Sequence, residues 1–165
     1  MKPKLSSAQR DEIRIHIKNG VDISPLINNY SIAGEDFTGA VIKTFNRPDE
    51  DISGVVLANT VIGEDGQVNN LNRAIAMNCN FRRSTWKGDT WFRKANLSYT
   101  SMRDMFAPYS DLRGTNLCHC DFCGAIIQII TPRGIGAKFS DDFFKEFEKQ
   151  FNVEIIRKKP NASHL

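Results

Sequence analysis

Thr90-Trp91-Phe92-Arg93-Lys94, Ala95-Asn96-Leu97-Ser98-Tyr99, Thr100-Ser101-Met102-Arg103-Asp104 and Met105-Phe106-Ala107-Pro108-Tyr109 run on as Ser110-Asp111-Leu112-Arg113-Gly114, Thr115-Asn116-Leu117-Cys118-His119, Cys120-Asp121-Phe122-Cys123-Gly124 and Ala125-Ile126-Ile127. The third place of each five is Phe, Leu, Met, Ala, Leu, Leu, Phe and Ile. Two places earlier stand Thr, Ala, Thr, Met, Ser, Thr, Cys and Ala, nearly all small. The fourth and fifth places are mostly polar. Five residues advance a helix by about 500°, so no helix keeps one face at this period. A flat strand fails as well, because an odd period flips its faces. A spacing this regular calls for a repeat architecture.

Ala95-Asn96-Leu97-Ser98, Ser110-Asp111-Leu112-Arg113-Gly114 and Thr115-Asn116-Leu117 resemble the signature of the pentapeptide-repeat family: a small residue, Asp or Asn, Leu or Phe, then two polar residues. The resemblance implies an all-β solenoid, a right-handed quadrilateral β-helix. Each five is then one side of a square and four fives make a coil, with the central apolar residue and the small one turned inward. A scaffold of this kind does not itself specify a function.

Working outward, central residues fall at Ile32, Phe37 and Ile42, with a gap at Arg47. They resume at Ile52, Leu57 and Ile62, with a second gap at Gln67. Leu71, Ala76, Phe81 and Trp86 follow, then one surplus residue at Gly88-Asp89. Phe92, Leu97, Met102 and Ala107 make the next coil, and Leu112, Leu117, Phe122 and Ile127 the last. This predicts about five coils, with Trp86 stacked on Ala107 as constant core volume requires. It also turns Phe92 inward and Trp91 outward. The two gaps fall on one side of neighbouring coils, which predicts two acidic loops there. One carries Asp49, Glu50 and Asp51, the other Glu64 and Asp65.

Residues 1–20 read as an N-terminal capping helix, started by Ser6 or Ser7, stopped by Gly20 and striped with Leu5, Ile13 and Ile17. A partner-binding helix is the sharper alternative. The repeat body is assigned to residues 21–131, and residues 132–165 to a C-terminal helix and tail within one domain. Ser140 caps that second helix, and Phe143, Phe144, Phe147 and Phe151 give it one aromatic face. The face either closes the last coil or forms a homodimer seam. A short strand fits between Asn152 and Arg157.

The chain of 165 residues is 41% hydrophobic and 25% charged, with a net charge of +3, which suits a soluble globular protein. No apolar run reaches the length of a membrane span and no signal segment is visible, so a cytoplasmic protein without a membrane partner is expected. No nucleophile–base spacing or phosphate loop is present. Cys118, His119, Cys120 and Cys123 carry zinc-type ligands, but the register sends Cys120 inward and the others outward on different sides. No metal and no cofactor are therefore expected, and no enzyme.

Surface charge remains. Residues 21–66 are acidic and the later coils basic. Arg73, Arg93, Lys94 and Arg113 fall on one side of successive coils beside outward Trp91, a candidate partner-binding stripe. The principal expectation is a non-enzymatic protein-interaction scaffold with a partner of unknown identity. One branch of the family resembled here binds DNA gyrase as a mimic of duplex DNA, which implies gyrase or topoisomerase modulation as an alternative. This sequence departs from a broad anionic surface, leaving only the acidic segments for that role. Nucleic-acid binding by the stripe, with Trp91 as a stacking platform, is a third reading.

Overall fold

The computed structural model describes residues 2–117, 119–122, 124–129 and 154–155. Two helices come first, α1 at Ser7–Lys18 and the single turn α2 at Ser24–Ile27. Short strands follow: β1 Val41–Ile42, β2 Val61–Ile62, β3 Val68–Asn70, β4 Thr85–Trp86, β5 Asp89–Trp91, β6 Phe106–Asp111, β7 Ile126–Ile129 and β8 Glu154–Ile155. Every strand pair is parallel, and isolated parallel bridges continue the ladders between them. The chain is a parallel β-solenoid.

Four faces repeat. Ile32, Ile52, Ala76, Leu97 and Leu117 stack on the first face. Phe37, Leu57, Phe81, Met102 and Phe122 stack on the second. Ile42, Ile62, Trp86, Ala107 and Ile127 form the third. Arg47, Leu71, Phe92 and Leu112 form the fourth. Leu117, Phe122 and Ile127 begin a fifth turn, whose last face lies outside the described residues. The inward column is buried as the fives predict, and the small residues two places earlier are buried with it, Ala74, Cys79, Ser84, Ala95, Thr100 and Cys120 among them. Leu112 and Leu117 pack on this core but are only partly buried, at the C-terminal end of the described ladder.

On the first, second and fourth faces each side ends in a two-residue turn whose second residue has positive φ. Glycine fills many of these places, but Asp49, Asn59, Arg73, Asn78, Lys94 and Tyr99 hold others at φ between 56° and 61°. This is the demand of a type II turn.

Two expectations change. The first gap is no gap, because Arg47 occupies the regular inward place and is fully buried. Asp49, Glu50 and Asp51 therefore lie on the ladder, with Arg47 N–H and Asp49 N–H bonded to the next turn, and form no loop. The second gap is a corner insertion. Ile62 and Leu71 sit on consecutive faces, so residues 63–67 bulge between the third and fourth. Because this stretch is a corner and not a side, the earlier coils are offset by one from the expected register: Leu71, Phe92 and Leu112 share a face with Arg47, not with Ile32 and Ile52.

The N-terminal segment covers the first turn. Ser6 and Gln9 form a reciprocal capping box that starts α1, and Leu5 and Ile13 are buried. Glu35 and Glu50 occupy places that hold small inward residues in later turns. Here they reach up instead. Glu35 binds Arg10 of α1 in a bidentate pair (2.6–3.1 Å), and Glu50 binds Lys2 at 2.8 Å and Arg47 at 3.0 Å. The aromatic helix with Phe143, Phe144, Phe147 and Phe151 lies outside the described residues. The strand expected between Asn152 and Arg157 is present as β8, paired to β7.

Candidate functional site

Arg73, Arg93, Lys94 and Arg113 do come together in space, though not on the flat of a side. All four lie in the turns that follow the fourth face. Arg73 N–H bonds to Arg93 C=O at 2.8 Å and Lys94 N–H to Arg113 C=O at 2.9 Å, so the turns stack into one longitudinal edge. Trp91 stands on the adjoining flat face, half-buried and outward, paired in register with Asn70 and Asp111. Phe92 is inward, as the unbroken run of fives requires.

The edge is less bare than its sequence suggests. Arg73 grips Asp49 of the preceding turn through two hydrogen bonds, the longer at 2.6 Å. Asp111, only 5% exposed, accepts from Arg93 Nε at 2.6 Å and from Arg113 Nη2 at 2.6 Å. Burial works against the Asp111 charge, and the hydrogen bonds of Arg113 and then Arg93 overcome it, holding the carboxyl below its ordinary range. The Arg93 guanidinium also lies 5.0 Å over the Trp91 ring, a cation–π contact. One face of the indole is thus already occupied. Lys94 is exposed and makes no ion pair among the described residues.

The acidic residues are mostly committed as well. Glu50 is taken by Lys2 and Arg47, Asp49 by Arg73, and Glu64 by Lys43 at 2.9 Å. Asp51 accepts from the Ser53 amide at 2.9 Å, a local turn bond. Asp65 stays on the 63–67 corner, near Asp89 and Tyr109.

No protein-family model matches the chain, and no curated protein matches it. Solved structures do. A pentapeptide-repeat protein from Nostoc Pcc 7120 shares 14% identity, with 94% of this chain and all of that chain covered, at a TM-score of 0.31. A pentapeptide-repeat protein of the Arabidopsis thaliana thylakoid lumen shares 15% identity over 81% of each chain, at a TM-score of 0.23. QnrB1, a plasmid-mediated fluoroquinolone resistance protein, shares 12% identity over 76% of this chain and 93% of that one, at a TM-score of 0.27. The chain is similar to pentapeptide-repeat proteins.

In this β-solenoid the thiols of Cys79 and Cys120 are structural. Cys79 is buried and its Sγ lies 3.2 Å from Ile52 O, while Cys120 Sγ lies 2.9 Å from Leu97 O. Burial pushes the Cys79 thiol up to about 12, which keeps it protonated and inert. Cys118 and Cys123 lie outside the described residues. His119 stacks on Tyr99 at 4.7 Å. Among the described residues no group of His, Cys, Asp or Glu is placed to hold a metal, and no helix is long and apolar enough to cross a membrane.

Sequence reasoning missed Asp111 and Arg47. Asp111 occupies the ordinary second place of its five, where Asp is expected and carries no special signal. Arg47 had one: it falls five after Ile42 and five before Ile52, so the register itself places it inside.

Proposed function

We propose that the chain is a protein-interaction scaffold that docks an anionic partner along the edge formed by Arg73, Arg93, Lys94 and Arg113, with Trp91 as its apolar contact. The observation that carries this reading is Lys94. It is the one base of the stripe without an acid among the described residues, and it sits beside a half-exposed tryptophan. Tryptophan and arginine are the residue types that concentrate binding energy at protein interfaces. Arg93 and Arg113 order the site by holding Asp111, so their role is to fix the edge as much as to bind.

Mimicry of duplex DNA has less support, because Asp49, Glu50 and Glu64 are neutralised by the chain's own bases. Stacking of nucleic-acid bases is likewise hindered by Arg93 over the indole.

The test is photo-crosslinking from two positions in cells of the source organism. Trp91→benzoylphenylalanine reports the edge, and Ile75→benzoylphenylalanine, on the exposed first face, is the control. A discrete protein captured from position 91 alone, and lost with Lys94→Glu or high salt, supports the reading. Equal capture from both positions sinks it. Nuclease-sensitive capture at position 91 transfers the edge to nucleic acid.

A further inference from the structure

The N-terminal end of the solenoid is closed by strand-like pairing over the first and third faces and by side chains over the fourth. Ser31 N–H bonds to Pro3 C=O at 2.8 Å above the first face. Ile23 N–H bonds to Val41 C=O at 3.0 Å above the third. Arg47 reaches Ile27 C=O at 2.6 Å and Tyr30 C=O at 2.9 Å above the fourth. Among the described residues the second face has no such partner. Its first strand position is Asp36, bridged below to Val56. Glu35 C=O and Phe37 N–H both turn down to Val56, each at 2.9 Å.

In a parallel ladder the intervening residue then aims its N–H and C=O the other way. One turn lower, the same two groups of Val56 are both used, by Glu35 and Phe37. Those of Asp36 make no hydrogen bond among the described residues. The Asp36 side chain does not compensate, since it is engaged by the Thr38 amide at 2.9 Å and hydroxyl at 2.7 Å.

Above this open edge is not packed protein but a cleft of about 530 Å³ between residues 34–38 and α1. Arg10, Arg14 and Lys18 of α1 line its wall, spaced by four and so on one row of the helix. Arg10 is spent on Glu35. Arg14 has only an exposed contact to Asp11 at 2.7 Å, and Lys18 makes no ion pair among the described residues. Ile13 and Ile17 give the wall an apolar base. An unpaired strand edge, room for a short extended segment and unspent positive charge lie together.

We propose that this cleft takes an extended acidic peptide segment of a partner protein, added as a parallel strand over Asp36 with a carboxylate set against Arg14 and Lys18. Main-chain pairing supplies the affinity in this mode, and side-chain pockets the selectivity. One peptide carbonyl accepts from Asp36 N–H, and the N–H two residues on donates to Asp36 C=O. The inference is independent of the Lys94 edge, which lies on another part of the surface.

The experiment is selection of a phage-displayed library of linear peptides on the full-length protein, followed by titration of the winners as synthetic peptides. Expected are acidic sequences whose binding falls at least tenfold in the Arg14→Glu/Lys18→Glu double variant and falls with salt, while the melting temperature stays put. A scan of single N-methyl groups along the peptide should abolish binding at one position and spare both of its neighbours, the alternation of a strand pair. The Asp36 amide should gain protection from hydrogen exchange in the complex. Selection of no peptide, of basic peptides, or of peptides indifferent to the Glu variants or to N-methyl position overturns the proposal.

Discussion

Arg47 shows how one inward place can be polar: both of its Nη atoms are paired, and Nε is left buried without a hydrogen bond among the described residues. In every later turn, the residue at this place faces the turn before it. In the first turn it faces the end of α2, whose last carbonyls have no partner within the helix. The guanidinium supplies donors in two directions, to Ile27 C=O and Tyr30 C=O above and to Glu50 at its side. Removing it strands the Tyr30 carbonyl, leaves Ile27 C=O with the Tyr30 N–H alone at 3.1 Å, and leaves Glu50 with Lys2 alone. Arg47→Ala is expected to cost about 2–5 kcal/mol in urea unfolding, the scale of a large-to-small change in a core. Arg47→Met restores the volume and should recover part of that loss. An Ala variant as stable as wild type would mean that the side chain is not inside. Gly88 makes a second residue-scale test. Its φ is +68°, and an added Cβ would meet Gln67 C=O at 2.3 Å and Glu64 C=O at 2.6 Å. Gly20 has φ +65° but open space around it. Gly20→Ala should cost only the left-handed penalty of about 1–2 kcal/mol. Gly88→Ala must cost clearly more, because the 63–67 corner has to move. Equal melting temperatures for the two variants would show that the corner is not stacked on Gly88.

At the scale of elements, the third face is held by Trp86. Its ring is fully buried and meets Phe45, Phe81 and Phe92 at centroid distances of 5.5–5.8 Å, edge-on or tilted. The indole N–H donates to Ser84 Oγ at 2.8 Å, so no polar atom is left over. Thr85 pairs with Phe106, which places small Ala107 in the turn after the large ring. Ala107→Leu should cost about 1–3 kcal/mol by overpacking. Combined with Trp86→Leu, part of that cost should return, since the two share one volume. Strict additivity in a double-mutant cycle of thermal or urea unfolding would separate them. This pairing was legible in the sequence because it needs only local counting: from Leu71 onward the fives are interrupted once, and the surplus residue betrays itself by Gly88. The relation of early coils to late ones was not legible. It hangs on whether Arg47 is inside and whether residues 63–67 are a side or a corner, and hydrophobicity answers the first wrongly and the second not at all. The stripe was half legible for the same reason. Its members share a line by register, but which of them meets an acid is set in three dimensions: Arg73 and Arg93 find Asp49 and Asp111 in a neighbouring turn, and Arg113 shares Asp111 from within its own.

At the scale of the whole molecule, the turns are joined along the stripe edge by carboxylates. Asp49 links its turn to Arg73 in the next, and Asp111 links Arg93 of one turn to Arg113 of the following one. Near the N-terminal end, Asp22 accepts from Ser24 and from the Lys43 amide, tying the α2 segment to β1. All three carboxyls are held below their ordinary range. Burial opposes the charge of Asp22 and Asp111 and hydrogen bonds outweigh it, whereas the Arg73 hydrogen bond leads for Asp49. A folded value below the unfolded one gives a definite sign. The stability from these groups is fully present above the unfolded Asp value of about 3.9, and it is lost as pH falls through the folded values. Acid should therefore loosen the stack. Asp111 matters most, being the most buried and serving two bases, while the exposed Asp49 pair is discounted by solvent screening. Asp111→Asn should melt lower than wild type at neutral pH, because two arginines lose their common acid. The gap between the two proteins should then narrow on acidification below the ordinary carboxylate range, since wild type loses by protonation what the variant already lacks. Melting curves collected from neutral pH into that acid range, with the Asp111 carboxyl followed by NMR, measure both effects. A gap that stays constant with pH would mean that Asp111 acts through packing and that its charge does not join the turns.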